Sequence, residues 1–322
     1  MKLIGVLAGG YSHEKVVSVK SAATIIKYMD KQKYLPVLVL IEKEKWTVNF
    51  ENNEYLIDKN DFSFSVNGAK KKFDGVFNIV HGTPGEDGLI SGYFDMLEIK
   101  HTCNKALQGS LTFDKFLCNK LAEGFGAKIA KSFLLVSKND PQISSIESQI
   151  GFPCFVKPND SGSSFGVTKV KQFSELENAI NHAFDNGTAV VVEAFVSGTE
   201  VACGIVKLNG KITVLPITEI VPDTEFFDFK AKYEGKSKEI TPARISEKSY
   251  KQIQETTQLL FEKFMLRGFA RIDYIIQDDV PYLIEMNTIP GMSEQSIVPQ
   301  QVVNYGWTLE KFVTGITDEM FH

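Results

Sequence analysis

The chain has no long hydrophobic run. Its longest apolar stretches, such as Leu35–Ile41, are about seven residues, against roughly 20 needed to cross a bilayer as a helix. That shortfall excludes a membrane span. Cysteine is scarce: Cys103, Cys118, Cys154 and Cys203 are scattered through 322 residues, with no C-x-x-C and no histidine at metal spacing. They read as reduced core thiols of a cytoplasmic protein, not as a disulfide framework or a zinc site. Positive charge is not in surplus either. With 35 Lys and Arg against 40 Asp and Glu, the net charge is −5, which argues against a nucleic-acid partner. Two common nucleotide signatures are missing. There is no G-x-x-x-x-G-K-[ST], and Gly9-Gly10-Tyr11-Ser12-His13-Glu14 is not G-x-G-x-x-G. Nor is there a Ser-His or Cys-His arrangement for nucleophilic catalysis. The short apolar run at residues 1–8 leads into Gly9-Gly10 without an A-x-A cleavage pattern, so a buried first strand explains it better than a signal peptide.

What is there is an ordinary globular composition, 43% hydrophobic and 23% charged, long enough for two or three domains. The first hundred residues alternate strand and helix. Leu3–Leu7, Leu35–Ile41 and Gly75–Val80 read as buried strands, with a helix through about Met29 and another over Leu89–Leu97. That alternation predicts a parallel sheet whose carboxyl edge binds ligands. Residues 44–72 are polar and irregular, and read as an insertion or a poorly packed excursion. The middle of the chain predicts an α+β unit with antiparallel character: a helix over Phe113–Gly124, strands Phe152–Lys157, Val167–Val170 and Thr188–Phe195, and a helix over Ser174–Ala183. Further strands follow at Glu200–Leu208 and Lys211–Pro216. Residues 222–245 are charged and aperiodic, the mark of a long functional loop. A helix at Glu247–Met265 then leads to Phe269–Ile276 and Tyr282–Met286.

Four constellations could carry chemistry. In Arg271-Ile-Asp273 and Glu285-Met-Asn287, polar residues two apart share one strand face. A hairpin turning around Gln277–Pro281 would set Asp273 opposite Glu285 and Arg271 opposite Asn287. Two carboxylates and an amide oxygen suit a hard cation such as Mg²⁺; a surface hairpin with a wet charged face has the same pattern. Lys157-Pro158 with the Gly/Ser-rich run to Gly166 could cradle phosphates, or be a plain glycine-rich turn. Glu193 ends a buried strand, where a carboxylate can accept from an adenine amino group, and Glu200 could accept from ribose hydroxyls; exposed strand ends look similar. Finally, His81-Gly82-Thr83-Pro84-Gly85-Glu86-Asp87-Gly88 and Gly9–Glu14 both follow buried strands and converge on one sheet edge.

Together these residues resemble the ATP-grasp superfamily and, within it, the D-alanine–D-alanine ligase family. The match runs from Gly9-Gly10-x-Ser12-x-Glu14 through Lys157-Pro158, Gly162-Ser163-Ser164-x-Gly166, Ala231-Lys232-Tyr233 and Arg271-Ile-Asp273 to Glu285-x-Asn287-Thr288-x-Pro290-Gly291-Met292. Glu14, His81 and Lys232-Tyr233 make it ligase-specific. The resemblance implies a mixed α/β and α+β fold, an N-terminal parallel-sheet domain (1–103) followed by a two-part ATP-grasp fold (104–195 and 196–322), with 222–245 as a lid. It implies ATP and two Mg²⁺ (or Mn²⁺) as cofactors, D-alanine as substrate and a homodimer. Lys115, Lys157 and Ser164 would contact ATP phosphates; Glu193, Ala194, Phe195 and Val196 would hold adenine, Glu200 the ribose, and Phe226 would pack on the base. Asp273, Glu285 and Asn287 would hold the metals. Glu14 would take the first D-alanine's ammonium and His81 would line its subsite. Arg271 and the Gly291 backbone would stabilise the oxyanion. Ser296, Ile297 and Lys232 would face the second D-alanine, while Tyr233 would bridge the lid to Ser163 and Glu14. Val16, Phe227 and Phe229 depart from many relatives without removing a group that the chemistry needs. Two rival readings are another ATP-grasp carboxylate–amine ligase and a nucleotide-binding regulator that has lost catalysis. The ligase-specific residues argue against the first, and the intact Arg271, Asp273, Glu285 and Asn287 against the second.

Overall fold

The structure, a computed structural model, describes residues 1–162, 165–222 and 237–322. Ser163, Ser164, Phe226, Lys232 and Tyr233 therefore lie outside the described residues, as does most of the expected lid. Among the described residues no helix is long and apolar enough to cross a membrane.

The N-terminal part holds β1 (Lys2–Gly9), α1 (Lys15–Tyr28), β2 (Tyr34–Ile41), β3 (Trp46–Phe50), β4 (Asn53–Leu56), β5 (Ser63–Val66), β6 (Ala69–Lys72), β7 (Gly75–Asn78) and α2 (Leu89–Met96). Its main sheet runs β4-β3-β2-β1-β7, with β2, β1 and β7 parallel. β1 is buried from Ile4 to Gly9, the near-continuous apolar run of a strand covered on both faces.

Residues 44–72 are not the irregular excursion expected. They form β3 to β6, two of which extend the main sheet antiparallel while β5 and β6 make a separate hairpin. Trp46, Phe50, Phe62 and Phe64 bury their rings beneath it. The strands are only four or five residues long, and one carries three consecutive lysines, so neither length nor alternation marked them.

The helix expected over Phe113–Gly124 is α4 (Lys115–Gly124). A further helix, α3 (Ala106–Phe113), precedes it, and the two are separated at Asp114, which is extended at ψ 104. The Asp114 carboxylate caps α4 by accepting from the Leu117 amide at 2.8 Å.

The middle sheet is antiparallel, as predicted. After β8 (Lys128–Ile129) come β9 (Ser132–Leu135), α5 (Ile146–Gln149), β10 (Cys154–Pro158), β11 (Thr168–Val170), α6 (Leu176–Phe184) and β12 (Val190–Ala194), in sheet order β11-β10-β12-β9. Its core of Leu135, Val156, Leu176, Ile180 and Val192 is its own.

The third part contains β13 (Thr199–Leu208), β14 (Lys211–Val214), β15 (Thr218–Pro222), β16 (Ser237–Ile240), α7 (Glu247–Lys263), β17 (Phe269–Gln277), β18 (Val280–Asn287), α8 (Ile297–Asn304) and α9 (Leu309–Glu319). Its sheet runs β16-β15-β13-β17-β18-β8, with β14 on β13. Where a loop over 222–245 was expected, residues 237–240 are an edge strand that pairs antiparallel with β15. Four residues without hydrophobic alternation leave no strand signal.

The first and third parts share one core. Ile4, Val6, Ala8 and Phe77 pack with Val206, Phe269, Phe312 and Val313 in a single cluster. At its rim the Tyr34 hydroxyl donates to Asp318 at 2.6 Å, and the Asp30 amide to Thr314 Oγ1 at 3.1 Å.

The aromatic core under β5 gives a stability prediction. Phe64 is 1% exposed, with ring centroids of Phe50 and Phe73 each at 5.4 Å. Phe64→Ala is expected to cost about 3–5 kcal/mol of unfolding free energy, read by denaturant titration, with nucleotide affinity unchanged because the cluster is remote from the site described next.

Candidate active site

The hairpin of β17 and β18 is the centre of the site. Arg271 lies opposite Asn287 and Asp273 opposite Glu285, as the sequence predicts, but the route is less direct than simple counting implies. The turn is a tight two-residue one: Gln277 pairs with Val280, and Asp278 and Asp279 both take positive φ, 51° and 61°. Carried straight on, that register would bring Ile284 opposite Asp273. Tyr274 still pairs with Leu283 in that register, but Asp273 pairs with Glu285, so Ile284 is the extra residue of a β-bulge. The bulge flips the following residues to the other face, and so turns Glu285 toward Asp273. Asn119 on α4 donates from Nδ2 to the Ile284 carbonyl at 3.1 Å, satisfying a group at the irregularity.

Asp273 is 4% exposed. Arg271 donates to it from Nε at 2.8 Å and from Nη2 at 2.6 Å, and Asn287 Nδ2 donates at 3.0 Å. Among the described residues no group of three or more His, Cys, Asp or Glu is placed to hold a metal ion. The two carboxylates with the Asn287 amide oxygen nevertheless make an all-oxygen set, of the hard chemistry that Mg²⁺ favours.

On one side of this hairpin, a cavity of about 490 Å³ lies between the middle and C-terminal sheets. Phe155, Lys157, the stretch Glu193–Glu200, Ile275, Leu283, Asp273 and Glu285 line it. Lys157 on β10 and Glu193 on β12 share one sheet face as diagonal neighbours. The Lys157 ammonium donates to the Glu193 carboxylate at 2.7 Å, with side chains only 7% and 14% exposed. Phe195 packs its ring 5.9 Å from that of Phe155, and the Lys169 ammonium lies 4.3 Å over it. Lys115 enters from the start of α4 and donates to the Ser161 carbonyl. Asn159 fixes this approach: its carbonyl accepts from the Lys115 amide at 3.1 Å and its side-chain oxygen from the Phe116 amide at 2.9 Å.

On the other side lies a chamber of about 1000 Å³. Glu14, His81 and Glu86 line its N-terminal wall; Arg271, Asn287, Gly291, Ser296 and Ile297 line its C-terminal wall. The Ser12 hydroxyl donates to the His81 carbonyl at 3.1 Å, joining the two N-terminal loops. The Met292 amide donates to Ser21 Oγ at 3.0 Å, tying the loop after β18 to α1. His81 is 5% exposed, and its Nε2 has no hydrogen-bond partner. Burial pushes its pKa below the ordinary value, although the Glu14 charge opposes this. A buried, unpaired ring nitrogen at a chamber wall is a place for a polar ligand. Cavity and chamber meet at Lys115, Ser161, Gly162 and Glu285, which line both.

Glu86 and Glu239 also line the chamber, and neither is assigned a role on sequence alone. Glu86 accepts from the Gly82 amide at 2.7 Å. It keeps one face on the chamber, yet the protein around it dominates: burial, then the Glu14 charge, raise its pKa to about 8. Its position inside Gly85-Glu86-Asp87-Gly88 is the signal that could have found it. Glu239 sits on the edge strand β16, which left no signal.

A nucleotide-sized cavity held between two β-sheets, opening past paired carboxylates into a polar chamber, defines an ATP-grasp ligase site. Two family models cover the chain, "D-ala D-ala ligase N-terminus" over residues 3–103 and "D-ala D-ala ligase C-terminus" over 123–318. The chain is 45% identical to a D-alanine–D-alanine ligase of Flavobacterium johnsoniae, over 98% of both chains. Its fold is similar to a D-Ala:D-Ser ligase from Enterococcus faecalis, with TM-score 0.88, 28% identity and 99% of both chains covered. It is also similar to a D-alanine–D-alanine ligase from Bacillus anthracis complexed with ATP, with TM-score 0.79, 25% identity and 100% and 97% covered. The chain belongs to the D-alanine–D-alanine ligase family.

Two predictions follow from the chamber walls. A Cβ on Gly162 would lie 2.5 Å from Glu14 Oε2, so Gly162→Ala must displace that carboxylate. Misplacement of order 1 Å can cost about 10²-fold, and a loss of that size in kcat/KM for D-alanine is expected with little change in melting temperature. Wild-type kinetics would show that the position of Glu14 is immaterial. Glu86 has a pH signature. A carboxyl that holds its proton more tightly when folded stabilises the fold below its ordinary value of 4.5, and loses that contribution as the pH climbs through about 8. Glu86→Gln should therefore gain stability relative to wild type between pH 4.5 and 8, measured by denaturant titration across that range. A constant difference would contradict the proton assignment.

Proposed function

We propose that the chain joins two D-alanines into D-alanyl-D-alanine at the expense of ATP, as a step in making peptidoglycan precursors. The observation that carries this reading is the meeting of the nucleotide-sized cavity with the amino-acid chamber at Lys115, Gly162 and Glu285. A γ-phosphoryl at that junction reaches a carboxylate in the chamber. A carboxylate is a poor electrophile, so it first attacks the γ-phosphorus, forming an acyl phosphate and releasing ADP as leaving group. The amine of the second D-alanine then attacks the acyl carbon, and phosphate leaves as the C–N bond forms.

In this reading Lys115 and Lys157 neutralise the phosphates, with Glu193, Ala194, Phe195 and Val196 around the adenine and Glu200 at the ribose. Lys157 would exchange part of its Glu193 contact for phosphate when nucleotide enters. Asp273, Glu285 and Asn287 would hold Mg²⁺ or Mn²⁺, which when bound neutralises charge on the transferring phosphoryl group. Glu14 receives the first ammonium, and His81 offers its buried nitrogen to the same substrate. Arg271, its plane fixed by Asp273, and the Gly291 backbone face the oxyanion. A Cβ on Gly291 would lie 3.0 Å from Ser296 Oγ, so glycine there leaves the backbone open to substrate. Ser296 and Ile297, at the start of α8, take the second D-alanine. The division into 1–103, 104–195 and 196–322, a homodimer and a cytoplasmic location belong to the same reading, supported by family membership.

ADP release and product mass, with D-alanine, D-serine and D-lactate offered as acceptors, test it. D-alanine-dependent ADP release with D-alanyl-D-alanine as the main product is expected. Absence of that release, or a different main product, would overturn it. Glu285→Gln should lower turnover by at least about 10²-fold, the scale of losing one charge-stabilising group, while the melting curve stays close to wild type.

A further inference from the structure

On the ligase reading, the chamber has to seat two ammonium groups, one from each amino acid, and each needs an anionic partner. Glu14 stands on the N-terminal wall. Of the other described carboxylates lining the chamber, Glu86 holds its proton near neutrality, and Glu285 faces Asp273 in the proposed metal set. Glu294 is turned onto Lys27 at 2.7 Å and the Tyr28 hydroxyl at 2.9 Å. Glu239 is left, and it lies on the opposite wall from Glu14.

Its surroundings are built. Glu239 Oε2 accepts from Gln300 Nε2 at 3.0 Å, and the same amide donates its other hydrogen to the Gln295 carbonyl at 2.6 Å. Both amide hydrogens of Gln300 are therefore committed, and the carboxylate is held from α8. Burial raises its pKa above the ordinary carboxylate value, while the Arg271 charge on β17 and the Gln300 hydrogen bond pull toward the ionised form that an incoming ammonium would complete. Arg271, Ser296 and Gln300 line the same wall, where the reading above seats the second amino acid.

We propose that Glu239 receives the α-ammonium of the acceptor amino acid, and so makes the site select an amino acid over a hydroxy acid. The inference rests on the ligase reading and deepens it. A charge-assisted hydrogen bond is roughly twice as strong as a neutral one. An acceptor that presents a hydroxyl in place of an ammonium gains no such bond, and leaves a half-buried carboxylate without its counter-charge. Selection against the hydroxy acid thus comes from an unpaired charge as much as from a favourable contact.

Glu239→Gln tests this, because it keeps the shape and an acceptor for Gln300 while removing the charge. With ATP saturating, the KM values for donor and acceptor D-alanine are resolved from the biphasic D-alanine dependence, and products formed from mixed D-alanine and D-lactate are weighed by mass spectrometry. The acceptor KM should rise about tenfold, the loss of one charge-assisted bond, with the donor KM unchanged. The ratio of D-alanyl-D-lactate to D-alanyl-D-alanine should rise by a similar factor, and Glu239→Asp should recover most of the preference for D-alanine. An unchanged acceptor KM and product ratio would overturn the inference. So would an equal fall with both acceptors, which marks a purely structural role. Failure of the wild-type chain to release ADP with D-alanine would instead overturn the ligase reading, so the two failures are distinct.

Discussion

Two carboxylates on directly opposed strand positions repel each other, and a hairpin adopts that arrangement only when something compensates. In β17 and β18 the compensation is local. Arg271, two residues along the same face, grips Asp273 with two N–H groups, and Asn287 adds a third donor. The geometry is set by one inserted residue, Ile284, whose carbonyl is taken up by Asn119. Without the bulge, Ile284 would face Asp273 and the cavity floor would lose one of its two carboxylates.

The remaining parts of the site are hung on this hairpin from three directions. The middle sheet brings Lys157 and Glu193 over the cavity as a buried pair, so the cation that faces the cavity has its charge satisfied within the protein. Helix α4 supplies Lys115 and braces the bulge with the same turns of helix. The N-terminal part is tied in twice: Ser21 of α1 holds the loop after β18 through Met292, and Glu14 lies against Gly162 in the loop after β10. The chamber is therefore an interface between two parts of the chain, and burial raises the pKa of a carboxylate on each wall, Glu86 to about 8 and Glu239 above its ordinary value.

Much of this was legible from the residues. Period-two polarity placed Arg271, Asp273, Glu285 and Asn287 on one face, because a strand alternates sides whatever surrounds it. The apolar runs of β1, β2 and β7 announced a buried parallel sheet. The register came out correct, although the bulge and the tight turn that produce it left no trace in the pattern. β3 to β6 escaped because each is only four or five residues long, and β4 and β6 are mostly exposed and carry charge. The helix Ala106–Phe113 escaped because eight residues give barely two turns of periodicity before Asp114 ends it. Glu239 was hidden for a related reason: its placement depends on β15 and α8, which are distant in sequence, and on nothing periodic around it.

The shared core has a consequence for how the molecule is made. Ile4, Val6 and Ala8 pack with Phe312 and Val313 of α9, and a ribosome emits β1 long before α9 exists. The N-terminal sheet can assemble early, but the face that α9 covers stays open, apolar and adhesive until nearly the whole chain has emerged. Stalled or truncated synthesis therefore leaves a sticky sheet and not a self-contained domain. An unfinished chain thus presents a surface that the finished protein never shows.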